Sequence, residues 1–248
     1  MVIWDFKFYS RNIGAILKVF HVFVNPLGFF VYLLLPSKPK ELRVRTPIGQ
    51  IKILMRNRKS ARTLYSIFIR EDYLIDKNIK NILDLGSNVG ISALYFLTRN
   101  KKNRVLCVEP DPNNKFFLKS NLNKFRDRSQ IIFSAIGCSN KKEEIFNISY
   151  DGKYSSFKEI DNRLEKKIKV EVITINDVLK KSFFRNNYPI LLKVDIEGLE
   201  KEVLKSFDFK KNLRIKELII EGKGFKNLIN RDVSVELRYG YVEKLELK

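Results

Sequence analysis

The chain has 248 residues, 44% of them apolar and 31% charged, a globular composition that excludes intrinsic disorder. Two cysteines and a single histidine, His21, exclude a disulfide framework, a multi-cysteine zinc site and a Ser-His-Asp triad in the domain core. Lysine and arginine number 48 against 28 acids, a formal charge of +20, and residues 1–80, with 15 basic residues against 5 acidic ones, are the more basic part per residue.

From Phe6 to Lys40 there is no acidic residue, and between Lys18 and Lys38 no formal charge at all. The apolar run from Val19 to Leu35 is nearly long enough to span a bilayer. Asn25, Pro26 and Gly28 interrupt it, because proline removes a helix hydrogen bond and restricts the residue before it. The pattern predicts two short apolar helices split at Asn25-Pro26. They either dock on the domain, the reading we favour, or contact a membrane surface through residues 13–35, flanked by Lys7, Arg11, Lys18, Lys38 and Lys40. The run begins late and lacks a small-residue cleavage site, so it does not read as a signal peptide; a cytoplasmic location is expected, with membrane association as the alternative. Leu42, Val44, Ile51, Ile53 and Met55 alternate with polar residues around a turn at 47–50, which predicts a hairpin; residues 60–76 follow with mostly helical spacing. The expected organisation is a helical extension over 1–40, a covering hairpin and helix over 41–80, and the main domain over 81–248.

From Asn81 onward short apolar strands alternate with helical segments. Strands are predicted at 82–85, 104–108, 131–135, 170–174, 190–194 and 218–221, and helices at 91–97, 113–124, 176–180 and 200–206. This alternation is that of an α/β domain, doubly wound, with a mostly parallel sheet between helices. Residues 237–247, with Gly240 as a turn, add an antiparallel edge strand.

Ligands of open α/β sheets bind beyond the carboxyl ends of the strands. Asp84, Glu109, Asp195 and Glu221 all stand at such ends. The loop Gly86-Ser87-Asn88-Val89-Gly90 follows the first strand, with small residues that let a ligand approach the backbone. No lysine follows Gly90, as a phosphate-binding loop needs, and Asn88 and Ile91 replace two glycines of a dinucleotide loop. Glu109 stands where an acid takes ribose hydroxyls in nucleotide-binding folds, and Asp84 suits a cationic ligand. A phosphate-free adenosyl sulfonium, S-adenosylmethionine, fits both features; otherwise the glycines serve only a tight turn.

The series Asp84-Leu85-Gly86-Ser87-Asn88-Val89-Gly90, Val108-Glu109-Pro110 and Leu192-Lys193-Val194-Asp195-Ile196-Glu197-Gly198-Leu199-Glu200 resembles the motifs of the FkbM-type methyltransferases, over roughly residues 41–222. The resemblance implies a seven-stranded, Rossmann-like S-adenosylmethionine-dependent fold and O-methylation of a hydroxyl on a sugar or secondary metabolite. It also implies that Asp84, Gly86, Ser87, Asn88, Gly90, Glu109 and Pro110 line the cofactor pocket, with Ala135-Ile136-Gly137 on its adenine side. The sequence departs from the family's pattern at Asn176-Asp177 and at Glu221-Gly222-Lys223, where a histidine is usual.

An alcohol acceptor loses its proton during methyl transfer, and a nearby carboxylate can take it. Asp195 is the expected base, Lys193 the residue that orients it or the acceptor (unless it is a surface or ion-pair lysine), and Glu221 a wall of the acceptor side. Glu197 and Glu200 are read as structural, holding the turn and starting a helix, rather than as Mg²⁺ ligands, so no metal is expected. Tyr154, Ser155 and Ser156 are candidate acceptor contacts. The expected acceptor is a small molecule, glycan or glycolipid. Two other readings remain open: a nucleic-acid methyltransferase, suggested by the basic residues 43–62 but lacking an amino-methylating signature, and a non-enzymatic membrane-associated binding protein.

Overall fold

A computed structural model describes residues 13–34, 40–149, 164–184, 188–239 and 241–248. Helix α1 (Ile13–Val22) and helix α2 (Pro26–Leu34) lead into a hairpin of β1 (Lys40–Thr46) and β2 (Gly49–Met55), and then into α3 (Arg58–Leu64). The helix pair is split where the sequence indicates: Asn25 accepts from the Gly28 N–H at 2.8 Å, and Val24 donates to the Arg43 carbonyl at 3.0 Å, which fixes the junction to the edge of β1. The expected helix over 60–76 is shorter. It passes into a π-helical turn (Tyr65–Ile69), and the chain then turns at Glu71, whose φ is +57°, beside the Arg70–Asp72 ion pair.

The main sheet is built from β3 (Asn81–Leu85), β4 (Arg104–Val108), β5 (Ser129–Ile132), β9 (Ile190–Val194), β10 (Ile215–Glu221), β11 (Val233–Tyr239) and β12 (Val242–Leu247). Its order is β11-β12-β10-β9-β3-β4-β5. The five strands from β10 to β5 are parallel, and β12 and β11 close one end in antiparallel fashion. This is the seven-stranded, mostly parallel, doubly wound sheet expected from the sequence. Between them run α4 (Ile91–Arg99), α5 (Pro112–Leu122), α6 (Ile175–Lys180) and α7 (Glu200–Ser206).

Two details differ from expectation. The predicted third strand over 131–135 divides into β5 and a separate β6 (Ala135–Ile136), because at Ser134 the chain leaves the sheet and donates to Glu171 at 2.8 Å. The predicted strand over 170–174 is the end of a longer β8 (Leu164–Ile173), which pairs with β6 and with β7 (Lys141–Ser149) in a second, three-stranded sheet. Buried Val170 and Val172 alternate with exposed Lys169 and Glu171, the pattern of a sheet wetted on one face.

Alternation along each central strand sorts side chains between two cores. Leu83, Leu85, Leu106, Val108, Leu192 and Val194 face the side covered by α6 and α7. Ile82, Val105, Cys107, Leu191 and Ile219 face the other side, covered by α4 and by the N-terminal elements, whose Val19, Phe23, Phe29 and Tyr32 belong to the same core. The inner faces of α1 and α2 thus dock on the domain.

Candidate active site

The order in which successive strands are added reverses between β3 and β9, so their carboxyl ends form the crevice where such sheets bind ligands. Across this boundary Asp84 lies directly opposite Lys193. Both side chains emerge on the face shared with the N-terminal elements, and both are buried. The Lys193 ammonium lies 3.1 Å from Asp84 Oδ1 and 3.5 Å from Asp195 Oδ2, and it donates to the carbonyls of Leu85 at 3.1 Å and Gly86 at 2.7 Å. Burial works against its charge, but Asp84 and Asp195 outweigh that and hold it above the ordinary lysine range. Lys193 is therefore a buried ion-pair lysine and not a surface one, and its donors go to the loop backbone and two carboxylates.

Asp84 is fully buried; its other oxygen accepts from Ser92 on α4 at 2.6 Å. Its carboxylate reaches the loop through Lys193, which bonds the Leu85 and Gly86 carbonyls. Gly86 (φ +77°) makes the bend, and a Cβ there would come within 1.7 Å of the Asp195 carbonyl, so only glycine fits between β3 and β9. Ser87 is buried and donates to the Asp84 carbonyl at 2.7 Å. Asn88 takes φ +49°, and Gly90 N donates to the Ser87 carbonyl at 2.8 Å to start α4. Sequence reasoning missed one tie of this loop: Asn121 on α5 donates to the Val89 carbonyl at 2.7 Å and exchanges hydrogen bonds with the backbone of Leu54 on β2. The side-chain amide of an unremarkable helix position joins loop to hairpin, and nothing local in the sequence announces it.

Glu109 ends β4 and turns back onto the loop. It accepts from Asn88 N at 2.8 Å, Asp111 N at 2.9 Å and the Asn114 amide at 3.1 Å. Burial pushes its carboxyl up to about 7, against the pull of these donors. Pro110 follows, half-buried, and Asp111 caps α5 by accepting from Asn113 N at 2.8 Å. A carboxylate offers about four lone-pair sites and three are used, which leaves room for a hydroxyl donor. The loop cation Lys193 is neutralised, so the donor set fits an adenosyl ligand with hydroxyls and no phosphate.

Asp195 is half-buried and its N–H donates to Leu85 O at 3.1 Å, locking β9's end to β3. Glu221 ends β10, half-buried, one position beyond the Ile220–Val194 pair. Ala135 and Ile136 are buried in β6 of the small sheet, separated from β5 by two residues, and so do not end a strand of the central sheet. Glu200 accepts from Ile196 N at 2.9 Å and from Gly198 N at 3.0 Å, so Glu200 holds this turn as well as starting α7. Among the described residues no cluster of His, Cys, Asp and Glu could hold a metal ion. Asp177 caps α6 with Thr174, a structural role. Tyr154, Ser155 and Ser156 lie outside the described residues.

Tyr73 is a site residue that sequence reasoning treated as plain helix packing. Its ring stacks on Phe96 at 6.1 Å and is buried, and its phenol lies within electrostatic reach of Lys193, Asp195, Glu221 and Asp84. Burial first, with these acids, drives its pKa well above the ordinary phenol value.

The Methyltransferase FkbM domain family matches residues 84–242. No curated protein matches the chain significantly. Among solved structures, methyltransferase FkbM from Methylobacillus flagellatus KT is 16% identical with a TM-score of 0.49; the match covers 74% of this chain and 47% of that one, so this chain spans about half its length. Fibrillarin from Aeropyrum pernix with natively bound S-adenosyl-L-methionine is 11% identical, TM-score 0.42, over 72% of this chain and 71% of that one. TrmK of M. capricolum in complex with S-adenosyl-homocysteine is 13% identical, TM-score 0.41, over 75% and 68%. The family match covers residues 84–242, more than half of the chain, and on that ground the chain belongs to the FkbM methyltransferase family.

Proposed function

We propose that the chain transfers a methyl group from S-adenosylmethionine to a hydroxyl of a glycan, glycolipid or related metabolite. The observation that supports this most is the joining of Asp84, Lys193 and Asp195 beneath the glycine loop, with Glu109 folded onto the same loop. Gly86, Ser87, Asn88 and Gly90 would offer the backbone against which the cofactor lies, Glu109 would accept its ribose hydroxyls, and Pro110 and the Ala135-Ile136 segment would border the adenine. Asp84 would serve the cofactor through Lys193 and Ser92, whose positions it fixes. The cofactor supplies an electrophilic methyl carbon; the protein supplies position and a proton acceptor.

Asp195 takes the acceptor's proton. It stands at the crevice, partly open to solvent, with Lys193 at 3.5 Å to orient it. Lys193 is a positioning residue, since its protons already go to Leu85, Gly86 and the carboxylates. Glu221 and Tyr73 border the acceptor side.

The test is transfer of isotopically labelled methyl from S-adenosylmethionine into fractions of host lipid-linked glycans, free sugars and RNA. Label in a glycan fraction as an ether is expected. Label confined to RNA overturns the acceptor, and absence of cofactor binding by calorimetry overturns the reaction.

A further inference from the structure

While their inner faces are buried, the outer faces of α1 and α2 carry Ile16, Leu17, Phe20, Leu27, Val31 and Leu34, each between 46% and 70% exposed. Ile16, Leu17 and Phe20 share one face of α1; Leu27, Val31 and Leu34, at i, i+4 and i+7, share one face of α2. The Phe20 and Phe30 rings, 6.3 Å apart, join the two faces into one patch. Eleven large apolar side chains are strongly exposed among the described residues, and six of them are these. Scattered apolar residues need no explanation, but a contiguous patch does.

The surroundings of the patch select its occupant. From residue 13 to 64 the sequence holds ten lysines and arginines and one acid, Glu41. Arg43, Arg45, Lys52 and Arg62 are exposed on the hairpin and on α3, the elements packed beside the two helices. Arg45 donates to the His21 and Phe23 carbonyls at 3.1 and 2.7 Å, which places a cation at the very end of α1. Glu41 is neutralised by Lys52 at 3.0 Å, and Glu71, near Lys18, by that lysine at 2.9 Å. No helix among the described residues is long and apolar enough to cross a membrane. An apolar patch rimmed by cations, on short helices, is complementary to a bilayer surface bearing anionic headgroups.

We infer that the α1–α2 face is a membrane-docking surface that lies in the interface of an anionic bilayer, with Leu17, Phe20, Leu27 and Val31 entering the acyl boundary and Arg43, Arg45 and Arg62 meeting the headgroups. It is independent of which acceptor the crevice takes. It also gives the basic excess of the N-terminal third a partner, where a merely solvated surface would need none.

Flotation of the full chain with phosphatidylcholine vesicles, with and without phosphatidylglycerol, tests it. Binding to the anionic vesicles, weakened by salt, is expected. Leu17→Ser with Leu27→Ser should lower the bound fraction at least about tenfold while the melting temperature holds or rises and S-adenosylmethionine still binds. Arg43→Gln with Arg62→Gln should abolish the preference for anionic vesicles. No flotation with either vesicle, or equal flotation of wild type and the leucine variant, overturns the inference. So does a dimer in solution that the leucine variant dissociates without any vesicle binding, which would assign the face to a second copy. Protection of the patch by residues 1–12, with no flotation, would assign it to this chain itself.

Discussion

The two faces of the central sheet are made by alternate residues of the same strands, yet they differ in kind. Toward α6 and α7 the strands β3, β4, β9 and β10 offer apolar side chains, Leu83, Leu106, Leu192 and Leu218 among them, with polar ones, Asn81 and Arg104, only where β3 and β4 begin. Toward α4 the same strands offer Ile82, Val105, Leu191 and Ile219 together with a buried charge pair, Asp84 and Lys193. A buried ion pair is not a stability device, because desolvation offsets most of its Coulomb gain. The pair stands where strand order reverses and where Asp195 must be held. The apolar face carries the fold; the other gives up hydrophobic burial to orient the glycine loop.

The sharpest way to break this contrast is Lys193→Met. The side chain is of similar length and fills the space, but Asp84 is left charged, buried and without its cation. The expected loss of stability is about 3–5 kcal/mol, read from urea midpoints. Asp84→Asn in the same chain should recover a large part, since removing both charges removes the penalty. Leu192→Ala, the neighbouring position on the apolar face, should cost about 2–5 kcal/mol that no polar partner change rescues. Equal behaviour of the two positions toward Asp84→Asn would erase the distinction.

Asp195→Asn separates chemistry from support. The side chain is partly exposed and Lys193 keeps Asp84, so unfolding midpoints should stay within about 0.5 kcal/mol of wild type. Turnover should fall about 10²–10⁴-fold, the usual worth of a general base. Full turnover in this variant would remove Asp195 as the base.

Much of this site is legible in the sequence because its signals are local. A strand, a bend of small residues and an acid at each strand end need only period and turn chemistry, and those placed Asp84, Gly86, Glu109 and Asp195 at one crevice. The split at Asn25-Pro26 and the hairpin turn were legible for the same reason. What escaped is set by distant partners. Ala135-Ile136 looked like the continuation of a strand, but Ser134 is drawn to Glu171 on β8, 37 residues away in sequence. Tyr73 had the spacing of a packing residue, and only the turn at Glu71 swings it over the charged pair. Asn121 reaches Leu54 over 67 residues, and no periodicity encodes that.

Glu109 offers a pH test of the loop. Its folded pKa of about 7 lies above the ordinary 4.5. Between those values the native state holds a proton that the unfolded state has released, so this group's contribution to stability falls as pH rises through the window. Ribose hydroxyls donate to the ionised form, so cofactor binding should favour deprotonation. Affinity for S-adenosylmethionine should therefore rise severalfold, up to about tenfold, from pH 6 to 8. Calorimetry in buffers of different ionisation heat should show proton release on binding. Glu109→Gln should flatten the profile and weaken binding throughout; a flat wild-type profile would detach Glu109 from the cofactor.

The smallest expected effect is that of Tyr73→Phe, and it tests whether the N-terminal elements only cover the sheet or also shape its crevice. The ring's stacking on Phe96 is unaffected by loss of the hydroxyl, so stability should change by less than about 1 kcal/mol. The phenol stays neutral at any working pH, held there by burial and by the acids around it, so it can donate a hydrogen bond but cannot act as a base. If it faces the acceptor, the variant should raise the acceptor's KM about two- to tenfold, with kcat and cofactor affinity little changed, the sign of a contact made equally in the ground and transition states. A pure packing role leaves both constants alone. A fall in kcat at constant KM would instead mean that the phenol acts on Asp195 or Lys193, moving Tyr73 from the acceptor wall to the charge array beneath the loop.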